Sequence, residues 1–162
     1  MLALDCRKIE PGTGHAAGRA LLGEMYARLT GEPMPPIAIA PGGKPYFTEG
    51  GLHFSVSHSK GHVFCALSDR QIGLDAEELD RAVKPGLAEK ILSPGEYAQY
   101  LAAEDKNTAL LTFWVLKEAA AKCSGRGLRG YPNHTAFSLD DPRVFRLEGC
   151  IAAVIEEEDH AL

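Results

Sequence analysis

The chain has 162 residues, of which 45% are hydrophobic and 24% are charged, and it carries a formal net charge of -5. This composition is ordinary for one globular domain or for two small halves that share a core, and the acidic balance argues against nonspecific nucleic-acid binding, which needs a basic face. The four scattered cysteines form no C-x-x-C pair and support neither a zinc site nor a disulfide framework. With no export signal and no apolar run of about 18 residues, we predict a cytoplasmic protein that does not enter membranes.

The first half of the chain combines one helical pattern with several strand-like segments. Leu21, Leu22, Met25 and Tyr26 recur at helical spacing and predict a helix over residues 15–29. Extended or strand-like segments are predicted at residues 2–5, 35–40, 46–47, 53–57, 62–67 and 72–77. The turn residues 68–71 predict that the last two segments form a hairpin.

A second pattern of helices followed by strands begins after a boundary near residues 79–84. A short helix is predicted at 85–92, and a second helix begins at the capping box Ser93-Pro94-Gly95-Glu96. A long helix is predicted at 107–124 and is followed by two glycines. Strands are predicted at 135–139, 144–147 and 150–155. The repetition predicts an α+β fold of two pseudo-symmetric halves, residues 1–80 and 81–162, each with a long helix on a small antiparallel sheet.

Two carboxylates share one face of the last predicted strand of the first half. Asp75 and Glu77 lie two residues apart, and side chains alternate between the faces of a strand. Ile72 and Leu74 then occupy the opposite, apolar face. The alternative is that both acids are ordinary exposed residues at the end of a strand.

Glu118 and Lys122 lie four residues apart in the longest predicted helix and therefore share a helical face. Such a pair is also a common stabiliser of solvated helices, but the apolar residues before it and the alanines within it indicate a mostly buried helix. A buried glutamate needs a cation or a hydrogen-bond donor. If the fold joins Glu118 to Asp75 and Glu77, their oxygens suit Mg²⁺, with Lys122 beside them for a phosphate.

Two loops add groups that can bind an anion. Ser57 and His58 end a strand with a hydroxyl and an imidazole, although a lone histidine is as often structural. Lys44 follows a glycine as in a Walker A loop, but no Ser or Thr follows it and Pro45 prevents the helix that would hold the phosphate. Residues 57–60 also match the S-x-x-K of penicillin-recognising enzymes, without the companion motifs.

Together and in this order, these segments resemble a 4′-phosphopantetheinyl transferase of the surfactin-type superfamily. The motifs that carry the resemblance are Gly43-Lys44-Pro45, Phe54-Ser55-Val56-Ser57-His58-Ser59, Gly73-Leu74-Asp75-Ala76-Glu77 and Trp114-Val115-Leu116-Lys117-Glu118-Ala119-Ala120-Ala121-Lys122 followed by Gly125-Arg126-Gly127-Leu128. The match extends from Arg19 to at least Leu139. It implies the α+β fold of that superfamily and Mg²⁺-dependent transfer of the phosphopantetheine arm of coenzyme A to a serine of an acyl or peptidyl carrier protein, with release of adenosine 3′,5′-bisphosphate.

The resemblance also implies the metal-binding and catalytic residues. Asp75, Glu77 and Glu118 become the ligands of Mg²⁺, and Lys122, together with Lys117, contacts the phosphates. Glu118 is the expected base toward the carrier serine, directly or through a metal-bound water, since an unactivated hydroxyl is a poor nucleophile. Lys122 is the second residue expected to act in catalysis.

The coenzyme A site follows from the same resemblance. Ser57 and His58 are expected near the 3′-phosphate, with Lys44 and Pro45 on the adenine side. The full set expected to bind coenzyme A is Arg19, Gly43, Lys44, Pro45, Ser57, His58, Asp75, Lys117 and Lys122. Longer members have a fuller first half with basic residues for the 3′-phosphate. Here the part before Arg19 is short and offers only Arg7 and Lys8.

Residues 81–100 are the predicted contact with the carrier protein. Arg81, Lys84 and Lys90 are expected to meet the acidic helix of the carrier. Three apolar residues are expected either to supply apolar contact or to belong to the core: Leu87, Ile91 and Leu92. We expect a monomer, with a homodimer as the alternative.

Two other functions use the same residues. One is a non-catalytic relative that binds coenzyme A or a carrier protein, and the other is a different Mg²⁺-dependent phosphoryl-transfer enzyme or a nuclease. Three carboxylates beside a polyanionic ligand argue against the first, and the acidic net charge argues against nucleic acid. The class of carrier protein is left open by the sequence.

Overall fold

The computed structural model describes residue 1, residues 3–127 and residues 136–158. The helices are α1 (Gly14–Thr30), α2 (Gly86–Ile91), α3 (Pro94–Ala102) and α4 (Lys106–Ser124). The strands are β1 (Ala3–Lys8), β2 (Ile37–Ile39), β3 (Pro45–Phe47), β4 (His53–His58), β5 (His62–Ser68), β6 (Ile72–Glu78), β7 (Val144–Leu147) and β8 (Cys150–Glu156). Within these described ranges, no helix is both long and apolar enough to cross a bilayer.

One arrangement of elements occurs twice along the chain. In the first half, β1, α1 and the β4–β5 hairpin give an antiparallel sheet of order β1-β5-β4. In the second half, β6, α4 and the β7–β8 hairpin give an antiparallel sheet of order β6-β8-β7. The short strands β2 and β3 form a separate ribbon in the first half. The predicted α+β fold, with a long helix on a small sheet in each half, is therefore confirmed.

The predicted hairpin between β5 and β6 is wrong. β5 pairs with β1 and β4, whereas β6 pairs with β8. The apolar residues Phe64 and Ala66 of β5 pack in one cluster with Ile72 and Leu74 of β6, so the two strands belong to different sheets that stack face to face. The strand that carries Asp75 thus belongs to the sheet of the second half, and the division of the chain at residue 80 stays a prediction.

The predicted strand at 135–139 is also wrong where the structure describes it. Residues 136–139 form no strand, because side chains of α3 take up their backbone groups instead. Glu96 accepts from the Phe137 amide at 3.0 Å, and Gln99 accepts from the Leu139 amide at 3.1 Å. Thr135 lies outside the described residues.

Alternation along β6 determines what faces α4. Ile72, Leu74 and Ala76 pack between the sheets, so the alternate residues Gly73 and Asp75 point to the other side. A Cβ atom on Gly73 would lie 1.9 Å from the carbonyl oxygen of Ala119, a distance that no side chain permits. Glycine at this position, with the buried alanines of α4, therefore allows α4 to lie directly on the strand that carries the acids.

Candidate active site

Asp75 lies in the interior, between β4 and α4. The residue is 6% exposed, and its Oδ1 accepts hydrogen bonds from Lys122 Nζ at 2.8 Å and from Ser57 Oγ at 3.1 Å. Its Oδ2 is buried and has no hydrogen-bond partner among the described residues. Buried polar atoms are nearly always paired, so Oδ2 marks a position where a ligand would be bound.

Glu118 lies on α4 close to Asp75. Burial raises the pKa of the Glu118 carboxyl and the negative charge of Asp75 raises it further, while Lys122 opposes both. Burial also raises the pKa of Asp75, again against the opposing effect of Lys122. A divalent cation beside these two acids would stabilise their ionised forms and lower both pKa values.

Glu77, the third expected metal ligand, is engaged by other groups. It forms an ion pair with Arg81 and accepts a hydrogen bond from Trp114 Nε1 at 3.3 Å. In the described ranges, no cluster of three or more His, Cys, Asp or Glu side chains is close enough to hold a metal ion. The structure thus brings Asp75, Glu118 and Lys122 together. Glu77 is paired with Arg81, but its negative charge also raises the pKa of Asp75 and of Glu118. The donors nevertheless fit Mg²⁺, because they are all carboxylate oxygens and Asp75 Oδ2 has no hydrogen-bond partner among the described residues.

A cleft of about 440 Å³ extends from Glu118 and Lys122 to the start of α1. Both halves contribute to its walls, which comprise α1, the turn between β2 and β3, β4 and the end of α4. Residues lining it include His15, Arg19, Gly43, Lys44, Pro45, His58, Glu118 and Lys122. Apart from His15 and Glu118, these are residues that the sequence assigns to coenzyme A.

Basic groups gather at the end of the cleft formed by α1. Arg19 Nη1 is buried and has no hydrogen-bond partner within the described residues, so it has a free donor for a bound anion. His58 packs tightly against the helix start, since a Cβ on Gly14 would lie 2.5 Å from its ring. Sequence reasoning missed His15, which lines the same wall, because only the packing of α1 on the end of β4 brings it there.

Lys44 reaches the cleft through its aliphatic part. Its ammonium donates to Gln71 Oε1 at 2.9 Å, to the Ile72 carbonyl at 3.2 Å and to the Cys123 carbonyl at 2.9 Å. These three acceptors match the three protons of the ammonium. Lys44 therefore ties the turn between β2 and β3 to β6 and α4.

Three residues expected at the coenzyme A site do not line the cleft: Asp75, which is buried beside Lys122, and Lys117 and Ser57. Lys117 is 1% exposed and its ammonium lies 2.8 Å from Glu96 Oε1 in the core, on a different side of α4 from Lys122. Ser57 is 5% exposed, and its hydroxyl bonds to Asp75 and to the Ala76 amide. Neither side chain is among the cleft-lining groups, so the structure does not bring them to a bound nucleotide.

The sequence that forms the second sheet and α4 matches a known family. The profile of the 4′-phosphopantetheinyl transferase superfamily matches residues 71–154, which contain Asp75, Glu118 and Lys122. A 4′-phosphopantetheinyl transferase of Bacillus subtilis is 32% identical over 125 residues, covering 69% of this chain and 54% of the relative. The psf-1 transferase of Bacillus pumilus is 33% identical over 143 residues, covering 81% and 61%.

The HetI transferase of a Nostoc species is 37% identical over 94 residues, covering 53% of this chain and 40% of the relative. The alignments thus span between two fifths and about three fifths of these relatives' length. The matched profile covers half of this chain and includes both the strand and the helix that carry the acids. The chain belongs to the 4′-phosphopantetheinyl transferase superfamily.

Proposed function

We propose that the protein transfers the 4′-phosphopantetheine group of coenzyme A to a serine hydroxyl of a carrier protein. The observation that carries this proposal is the cleft between the halves. Glu118 and Lys122 line one end, with Asp75 paired to Lys122, and Arg19 lines the other end, where its Nη1 has no hydrogen-bond partner within the described residues. A ligand with phosphates at two separated positions fits this distribution of charge. Membership in the superfamily agrees with this assignment.

Basic groups along the cleft would bind successive parts of coenzyme A, from the 3′-phosphate to the pyrophosphate. Arg19 and His58, with His15 beside them, would take the 3′-phosphate of the nucleotide. The aliphatic part of Lys44 and the ring of Pro45 would contact the adenine. Lys122 would bind the pyrophosphate, because an ammonium beside a carboxylate at the mouth of the cleft can donate to phosphate oxygens as well.

The acids would hold the metal and accept the proton. Asp75 and Glu118, with Glu77 after it leaves Arg81, would bind Mg²⁺, which when bound offsets the charge that develops on the leaving phosphate. Glu118 would accept the proton of the carrier serine, and the raised pKa of its carboxyl suits a general base. The serine oxygen then bonds to the phosphorus that carries the pantetheine, and the bond from this phosphorus to the bridging oxygen breaks, which releases adenosine 3′,5′-bisphosphate.

Residues 81–100 would supply the carrier contact chiefly through charge. Of the three apolar residues expected to contact the carrier, only Leu87 is partly exposed, and it packs against the core. Lys84 and Lys90 are exposed, whereas Ile91 and Leu92 are 6% and 7% exposed and belong to the core. Replacing both lysines by glutamate is expected to raise the KM for an acidic carrier several-fold without changing the unfolding midpoint. An unchanged KM at low salt would exclude this contact.

The proposed activity is tested by incubating the protein with coenzyme A, Mg²⁺ and a panel of apo-carrier proteins. Intact mass spectrometry is expected to show addition of one phosphopantetheine to a carrier, and adenosine 3′,5′-bisphosphate is expected in equal amount. Glu118→Gln is the matched control, since it keeps the shape of the side chain and removes the base. Absence of the added mass across fatty-acid, polyketide and peptide carriers would exclude the transferase function.

A further inference from the structure

Two serines of β4 join the two sheets in an unusual way. β4 and β6 are neighbours, yet their contact includes hydroxyl-to-amide bonds instead of a backbone ladder. Ser55 Oγ accepts from the Leu74 amide at 3.0 Å, and Ser57 Oγ accepts from the Ala76 amide at 3.1 Å. Both serines are buried, at 6% and 5% exposure. The two side chains therefore replace strand pairing along the stretch that carries Asp75.

The two hydroxyls differ in where their proton goes. A serine hydroxyl has one proton to donate and can accept with its lone pairs. Ser57 donates its proton to Asp75 Oδ1 at 3.1 Å, whereas Ser55 has no carboxylate partner in the described part of the chain. The Ala76 amide, the Ser57 hydroxyl and Asp75 Oδ1 thus form a chain in which each bond strengthens the next.

We infer that Ser57 is a positioning residue, which orients the Asp75 carboxylate so that Oδ2 stays available to a divalent cation. Ser57 and Lys122 both bind Oδ1, which fixes the rotation of the carboxylate from two directions. Ser57 also holds the amide that follows Asp75, so the backbone and the side chain are fixed together. Oδ2 remains unpartnered within the described residues. The inference deepens the proposed function, since it concerns the same metal site, and it replaces the expected contact of Ser57 with the nucleotide.

The first experiment needs neither metal nor substrate. A double-mutant cycle of Ser57→Ala with Asp75→Ala is measured by urea unfolding in EDTA, beside a matched cycle of Ser55→Ala with Asp75→Ala. Ser57→Ala is expected to lose more stability than Ser55→Ala, because it loses the bond to Asp75 as well as a hydroxyl–amide bond. Only the Ser57 cycle is expected to be non-additive. Additivity in the Ser57 cycle, or equal coupling in both cycles, would overturn the inference whatever the protein catalyses.

The second experiment measures Mn²⁺ binding by electron paramagnetic resonance, without carrier protein. Ser57→Ala is expected to raise the Kd for Mn²⁺ about tenfold, as the loss of an outer partner of a metal ligand does, and Ser55→Ala is expected to keep the Kd of the parent. If Ser57→Ala does not fold, Ser57→Cys replaces it. An unchanged Kd in the Ser57 variant would overturn the inference. A parent that binds no Mn²⁺ would contradict the availability of Oδ2 and the proposed metal site, while a non-additive cycle would still leave the Ser57–Asp75 contact standing.

Discussion

Two lysines of α4, five residues apart, each form an ion pair with a carboxylate. The nitrogen–oxygen distance is the same in both pairs, but one pair is buried and the other is partly exposed. Lys117 Nζ lies 2.8 Å from Glu96 Oε1, and Lys122 Nζ lies 2.8 Å from Asp75 Oδ1. The side chains of Lys117 and Glu96 are 1% and 0% exposed, whereas those of Lys122 and Asp75 are 33% and 8% exposed. The first pair is closed within the core, whereas Lys122 of the second pair lines the cleft.

The pairs also differ in how many carboxylate oxygens are satisfied. Glu96 Oε1 accepts from the Ser93 amide at 2.8 Å in addition to Lys117, and Oε2 accepts from the Phe137 amide at 3.0 Å. Asp75 leaves Oδ2 without a partner in the described ranges. The Lys–carboxylate distance is therefore the same in both pairs. They differ in whether every carboxylate oxygen has a partner, and this difference is what distinguishes the core pair from the pair assigned to the proposed site.

Replacing Lys117 by Met is expected to have the largest effect on stability. The change leaves the buried Glu96 carboxylate without its cation, a loss that is typically about 3–5 kcal/mol. Urea unfolding at neutral pH measures it. Lys122→Met is the matched control on the same helix, and a loss below about 1 kcal/mol for Lys117→Met would show that the core pair is not what holds α3 to α4.

Lys122→Met is expected to separate activity from stability. Because this ammonium is one-third exposed, its removal is expected to reduce the free energy of unfolding by about 1 kcal/mol. Removing a cation aimed at a developing charge lowers kcat about 100-fold or more. Steady-state assays with coenzyme A and an apo-carrier protein measure kcat, and a variant that keeps parental kcat would move Lys122 out of the catalytic group.

The acid pair predicts an unusual pH dependence of stability without metal. Burial raises the pKa of Asp75 above its ordinary value of 3.8, so the folded state binds the proton more tightly than the unfolded state. Stability from this group is present at low pH and falls as the pH rises from 3.8 through the raised pKa. In the Asp75→Asn variant this decrease in stability with pH is expected to disappear. The free energy of unfolding of parent and variant is measured by urea unfolding in EDTA at several pH values, and the difference between the two pH profiles gives the contribution of Asp75. Identical profiles would mean that Asp75 ionises without penalty.

Local signals in the sequence predicted the helices well. The predicted ranges 15–29 and 107–124 agree with α1 and α4 to within one residue at each end. The agreement is close because apolar spacing and the glycines at 31 and 125 are local features. The partner of β6 could not be predicted in the same way. Its pairing with β8 depends on a distant segment, and the turn at residues 68–71 suits a change of sheet as well as a hairpin.

The site was predictable where a period defines a face. The two-residue spacing of Asp75 and Glu77 and the four-residue spacing of Glu118 and Lys122 place each pair on one side of its element. The spacing does not show which other residues pair with each of these side chains. The ion pair of Glu77 with Arg81 joins residues four apart and depends on the turn that follows β6. The core position of Lys117 arises from its contact with Glu96 of α3, which only the assembled fold determines.

Lys44 extends the comparison to a third lysine, one whose ammonium binds neutral acceptors. Its three hydrogen bonds join the turn between β2 and β3 to Gln71, Ile72 and Cys123, so Lys44→Met is expected to loosen one wall of the cleft. Burial lowers the pKa of this ammonium, and the loss of its hydrogen bonds is expected to cost about 1 kcal/mol of stability. The KM for coenzyme A is expected to rise several-fold with little change in kcat, because the wall moves while the acids stay in place. Lys44→Arg is the matched control for charge. A selective fall in kcat would place the ammonium at the reacting phosphates instead.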